Sequence, residues 1–206
     1  MKFDFLPESD QAYYIHKAST LVEALPYIRE HAGKTIVIKY GGHAMSTPKL
    51  SDSFSRDIGL MKEIGILPVV VHGGGPQIGD MLKQKNIESK FINGLRVTNK
   101  DTMKVVEEVL TNDINNKIVG AINKTGGKAV GLKGNQNELI EATKLEIQVK
   151  ETDSNIEKYI DIGFVGKPNN LNKNIINDQL KEGFIPVIAP LGIDKEKNIY
   201  NINADT

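Results

Sequence analysis

TIVIKYGGHAMS, residues 35–46, and LPVVVHGGGP, residues 67–76, decide the fold. Each opens with a short run rich in β-branched residues and closes on adjacent glycines. Such a run, bounded by turn residues, reads as a strand buried on both faces. A helix signal follows each. Thr47-Pro48 offers a hydroxyl for the N-cap and a proline for the first helical position. Phe54, Ile58, Met61 and Ile64 then supply an apolar face. Pro76 opens the next helix, which carries Ile78, Met81 and Leu82. Strand, glycine loop and helix, repeated, predict an α/β domain with a mainly parallel sheet covered on both faces.

The pattern extends outward in both directions. Upstream, residues 11–32 predict an amphipathic helix, because Tyr14, Ala18, Leu21, Leu25 and Ile28 repeat at four-three-four-three spacing. Pro26 should kink or break it, and Gly33 should stop it. Downstream, Thr98-Asn99-Lys100-Asp101 resembles a capping box with Asp in the last position. It should start one long helix in which Val105, Val109, Ile114, Ile118 and Ile122 keep the helical period, ended by Gly126-Gly127. Residues 129–166 predict strands and a hairpin, FIPVIAP (184–190) another strand, and DKEKN (194–198) a turn before NIYNIN.

Bulk properties bound the function. The 206 residues allow one sizeable core, and a formal net charge of zero argues against nucleic acid as main partner. Without cysteine there is no disulfide, thiolate nucleophile or zinc–thiolate site. Histidines 16, 31, 43 and 72 lack metal-ligand spacing, so no metal site is expected from protein ligands alone. The first residues carry acids and no apolar h-region, and no run approaches the ~20 apolar residues that span a bilayer. A cytoplasmic protein with no membrane partner is expected. The sequon at Asn123 is read as chance.

Four segments can carry chemistry. Lys39 with Gly41 and Gly42 ends the first strand, where ligands of open α/β sheets collect. Adjacent glycines present N–H groups at close range, and a lysine adds a point charge suited to phosphate. A solvent-facing strand-end lysine beside a turn is the plainer alternative. His72-Gly73-Gly74-Gly75-Pro76 is a second anion site, with free N–H groups at a helix N-terminus. Ile78 breaks the dinucleotide fingerprint, and no Gly-Lys-Ser/Thr follows for a Walker loop. Arg96, in NGLRVT (93–98), can grip a carboxylate through two parallel bonds, or merely pair with a surface acid. Asn201 and Asp205, in NINADT (201–206), offer an amide for a polar substrate and a carboxylate to orient lysines. His72 reads as a packed strand-end residue, and Asp161 and Asp194 as edge and turn acids. Together the two glycine loops suit phosphoryl transfer, which needs positioning and charge neutralisation above all.

In this order, IVIKYGGHAM, VVVHGGGPQIG, FINGLRVTNKDTM and YNINADT resemble the N-acetylglutamate kinases of the amino-acid kinase family. GFVGKPNNLN and GFIPVIAPLG look like that family too, and the match runs from about residue 20 to the last residue. The resemblance implies a three-layer α/β sandwich (residues 33–206) preceded by an N-terminal helix (1–32). It implies phosphorylation of the side-chain carboxylate of N-acetyl-L-glutamate by ATP with Mg2+, in arginine biosynthesis. By the same resemblance, Lys39, Gly41, Gly42, Gly73 and Gly74 bind phosphate, Gly74, Gly75, Arg96 and Asn201 bind substrate, and Lys39 and Asp205 are catalytic. It further implies a homo-oligomer, a hexamer linked by the leading helix, with L-arginine as feedback inhibitor. Family members continue past NAD into an ATP-binding domain, so these residues alone should be inactive. Kinases of aspartate, glutamate, carbamate or UMP, a non-catalytic acetylglutamate- or arginine-binding module, and a dehydrogenase are the rival readings. NGLRVT together with NINAD favours the acetylglutamate enzymes.

Overall fold

A computed structural model describes residues 7–45, 47–150 and 157–206. The two deciding stretches form neighbouring strands, β1 (Thr35–Tyr40) and β2 (Leu67–His72), in one parallel sheet. β8 (Ile185–Ala189) and β5 (Ala129–Lys133) complete it, in the order β1-β2-β8-β5, every pair parallel. Helices cover both faces, except along the edge strand β1, which is not buried on both faces as expected: Val37 is 65% exposed. One face packs α2 (Pro48–Glu63), α3 (Gly75–Gln84), α4 (Lys100–Glu108) and α5 (Asn116–Lys124) around Ile58, Leu82, Val106, Ile122 and Val70. α6 (Lys173–Lys181) covers the other with Ile176 and Leu180 over Val69 and Ile188. This is the three-layer architecture expected.

A second set of strands sits at the carboxyl end of the sheet. β6 (Ile140–Lys150) and β7 (Glu157–Leu171) form a long antiparallel hairpin, whose residues 151–156 lie outside the described ones. β10 (Ile199–Ile202) runs parallel to β7 and antiparallel to β9 (Leu191–Ile193), which meets β6 at Glu141 and so closes the ring. The ring matters because β10 delivers residues 201–205 over the ends of β1 and β2.

Several local expectations are corrected. The loop after β1 is a 3-10 turn, Gly42–Met45, and Ser46 of that predicted loop lies outside the described residues. The capping residue of α4 is Asn99, not Thr98: Asn99 Oδ1 accepts the Thr102 N–H at 2.9 Å. Thr98 is instead drawn into the sheet, its N–H donating to Ile162 and its carbonyl accepting from Phe164. The predicted single helix over 98–126 is interrupted. Between α4 and α5, residues Val109–Asn115 form a π-helical segment. The apolar repeat steps by five from Val109 to Ile114, and a π turn absorbs that extra residue while keeping both on the core side.

α1 (Glu8–His31) runs unbroken past Pro26, so the expected break is absent. Proline removes one N–H from the ladder, and on an exposed helix water satisfies the freed carbonyl. The apolar residues are also not one stripe. Tyr13, Ile15, Val22 and Tyr27 are exposed alongside Tyr14, Leu21 and Leu25, which spreads apolar surface around the helix. Residues 1–6 of the predicted leading segment lie outside the described residues.

Candidate active site

The register of the sheet builds the site. Lys39 pairs with Val71 and Tyr40 with His72, so the glycine loops that follow leave the sheet side by side. Gly73 N–H donates to the Tyr40 carbonyl at 2.8 Å, which ties the second loop to the first strand. At Gly41 a methyl group would stand 3.4 Å from the Gly73 nitrogen, so this glycine is the contact between loops rather than a wall of the cleft. At Gly74 it would lie 2.6 Å from Ile114 Cδ1 and 2.8 Å from Leu110 Cδ2, two buried side chains of the π segment. The backbone there has to approach the helix closely, and glycine permits it.

These loops floor a cleft of about 380 Å³. Lys39, Gly42, Gly73, Gly74 and Gly75 line it from the strand ends, Arg96 from the side, and Asn201 and Asp205 from the segment after β10. Every site residue singled out in the sequence lines this cleft except Gly41. Lys39 Nζ lies 2.9 Å from Asp205 Oδ1, an ion pair across the mouth.

Arg96 is held by a hairpin that the periodicity did not suggest. β3 (Phe91–Ile92) and β4 (Leu95–Arg96) pair antiparallel around Asn93-Gly94, both with positive φ. Asn-Gly is the strongest short hairpin signal because such a turn needs two residues tolerant of that region, and it was legible in the string. Arg96 as a residue is only 7% exposed. Its Nη2 donates to the Gly75 carbonyl at 2.9 Å and its Nη1 to Ser89 Oγ, while the group lies over the Phe91 ring. Burial pushes its pKa below the ordinary arginine value. The surface-acid alternative does not hold: among the described residues no carboxylate lies in ion-pair contact with Arg96. Ser89 and Phe91 are thus site residues that sequence reasoning missed.

The chain matches the Amino acid kinase family over residues 34–206.

The chain belongs to the amino acid kinase family.

Acetylglutamate kinase of Rhodospirillum centenum is 53% identical over 193 residues, covering 94% of this chain and 63% of that protein. Acetylglutamate kinase of Citrifermentans bemidjiense is 56% identical over 191 residues, covering 93% and 65%. A Streptococcus mutans UA159 protein of known structure superposes with a TM-score of 0.70 at 33% identity, over 83% of this chain and 64% of that one. This amino acid kinase chain therefore spans just under two thirds of the length of the curated relatives it matches.

A phosphate fits the floor of N–H groups and the Lys39 ammonium. Among the described residues no cluster of three His, Asp or Glu side chains can hold a metal ion. Among the described residues Asp205 is the single carboxylate lining the cleft, so this part of the chain offers a divalent cation one carboxylate ligand there. The other acids stand elsewhere. Asp161 accepts from Lys144 Nζ and the Gly163 N–H, and those hydrogen bonds lower its pKa. Asp194 organises the turn before β10, accepting from the Glu196 and Asn198 N–H groups and from Tyr200 Oη. With burial, that acid pushes the Tyr200 hydroxyl up to about 12.

Proposed function

We propose that this chain is the substrate-binding part of an N-acetylglutamate kinase, transferring a phosphoryl group from ATP to the side-chain carboxylate of N-acetyl-L-glutamate. The observation that carries the reading is one cleft in which a buried, acid-free arginine faces a lysine and a glycine-rich floor. A dicarboxylate needs two anchors. Arg96 suits the α-carboxylate, Asn201 the acetamido end, and the Gly74 and Gly75 N–H groups the carboxylate that reacts. Lys39 stands where charge builds on the transferring group, and Asp205 holds its ammonium in place. Bound nucleotide with Mg2+ supplies the phosphoryl group and further cationic charge; this chain's own residues orient the acceptor and neutralise its end of the reaction. The names of the relatives support acetylglutamate over other acceptors.

The test is calorimetric titration of N-acetyl-L-glutamate into the 206-residue chain. Weak 1:1 binding is expected, with L-glutamate binding more weakly because Asn201 has no acetamido group to meet. Absence of any heat with acetylglutamate, from a folded chain, removes the reading.

The same reading extends to assembly. The exposed apolar surface of α1 is costly in isolation and better explained by a partner helix. We propose that it joins copies of this chain into a hexamer responsive to L-arginine. Deleting residues 1–30 from the full-length enzyme is expected to leave active dimers with weakened arginine inhibition. Light scattering that still reports a hexamer would end the assembly role.

A further inference from the structure

Behind the Gly73–Gly75 loop lies a buried polar relay that the proposed chemistry does not yet use. His72 ends β2 with no exposed surface, against Asn115 of the π segment, itself 3% exposed. His72 Nδ1 lies 2.9 Å from the Gly73 carbonyl oxygen. A carbonyl only accepts, so Nδ1 carries the proton. Asn115 Nδ2 donates to the Val187 carbonyl at 2.9 Å, which fixes the orientation of its amide, and it also lies 3.2 Å from His72 Nε2. Nε2 is therefore the acceptor and the ring is neutral. Burial agrees, holding the His72 pKa below the usual histidine value. The relay thus runs from the middle of β8 through Asn115 and His72 to the first peptide of the loop.

That peptide is planar and trans, so the Gly73 carbonyl and the Gly74 N–H point in opposite directions. Pinning the oxygen toward the buried ring turns the N–H away from it. Gly74 lines the cleft and is the residue before α3. Among the described residues its N–H donates to no backbone carbonyl. We propose that His72 and Asn115 are positioning residues, which aim the Gly74 N–H at the anion the cleft binds. The π turn is what brings Asn115 to them: Ile114 packs under Gly74 and Asn115 follows directly onto the sheet, where Gly131 leaves room for its Oδ1. The inference rests on the proposed function for which anion is bound, but not for the geometry.

Two substitutions separate positioning from packing. His72→Asn puts an amide nitrogen near the place of Nδ1, and His72→Gln puts one near Nε2 instead. In 1H–15N spectra of the 206-residue chain, His72→Asn is expected to keep the Gly74 amide close to its wild-type position, while His72→Gln and Asn115→Ala shift it. In the full-length enzyme, His72→Gln should lose roughly 10²-fold in kcat, as for a misplaced oxyanion-type donor, with a smaller change in KM. His72→Asn should stay within a few-fold of wild type. Melting temperatures report packing, and a purely structural role would lower them in both variants while leaving their kcat values alike. A Gly74 resonance unmoved in all three variants, or equal kcat for His72→Asn and His72→Gln, overturns the proposal. A wild-type enzyme that does not phosphorylate acetylglutamate ends the functional reading alone, and the Gly74 spectra still decide the relay.

Discussion

Lys39→Ala in the full-length enzyme is expected to lower kcat by about 10²–10³-fold, on the scale of removing one oxyanion-type donor. The geometry says why the loss belongs to chemistry. Lys39 and Asp205 lie 2.9 Å apart with side chains 43% and 61% exposed. Exposed pairs of this kind contribute about 0–1 kcal/mol to stability, so the folded chain should survive the substitution. The ammonium is thus available to an incoming phosphoryl group, whose charge is spread over its oxygens in the transition state. Binding of acetylglutamate should change much less, since the proposed anchor of its α-carboxylate, Arg96, lines the cleft from another side. Lys39→Arg should not restore kcat, because a bulky planar fork cannot replace a compact point charge. A variant with near-normal kcat would take Lys39 out of the reaction.

The residues that gather in the candidate cleft left plainer marks in the string than the register that brings them together, for physical reasons. Anion chemistry leaves local marks, such as paired glycines after a strand and a lysine two residues before them, and both loops could be read directly. What places them in contact is register. Tyr40 opposite His72 is a non-local fact, settled by the packing of α2 and α3 beneath the sheet. The ring that carries Asn201 and Asp205 back to Lys39 depends on a parallel pairing of β10 with β7, far apart in sequence. Thr98 illustrates the same limit: its string offers a helix cap, yet the sheet claims its backbone and Asn99 caps instead. Two misses were avoidable. Asn93-Gly94 announced a hairpin, and the five-residue step from Val109 to Ile114 announced the π turn.

Arg96→Ala should raise the KM for acetylglutamate far more than that for ATP. Removing one partner of a desolvated charge pair costs about 2–5 kcal/mol, and the lower figure alone is roughly 30-fold in affinity. Arg96 qualifies because its protein partners are neutral. The Gly75 carbonyl and Ser89 Oγ orient the guanidinium, and Phe91 shields one face, but none cancels its charge. Arginine stays protonated even where burial opposes it, so the site holds a partly desolvated cation that the carboxylate of the proposed substrate would relieve. Arg96→Lys should restore little, since an ammonium cannot hold the Gly75 carbonyl, the serine hydroxyl and a carboxylate from one planar fork. The substitution also releases the hairpin from the start of α3, so a fall in melting temperature is expected alongside. The two effects part in the kinetics. Loosening the hairpin alone would raise both KM values together, whereas loss of a carboxylate anchor raises only the one for acetylglutamate.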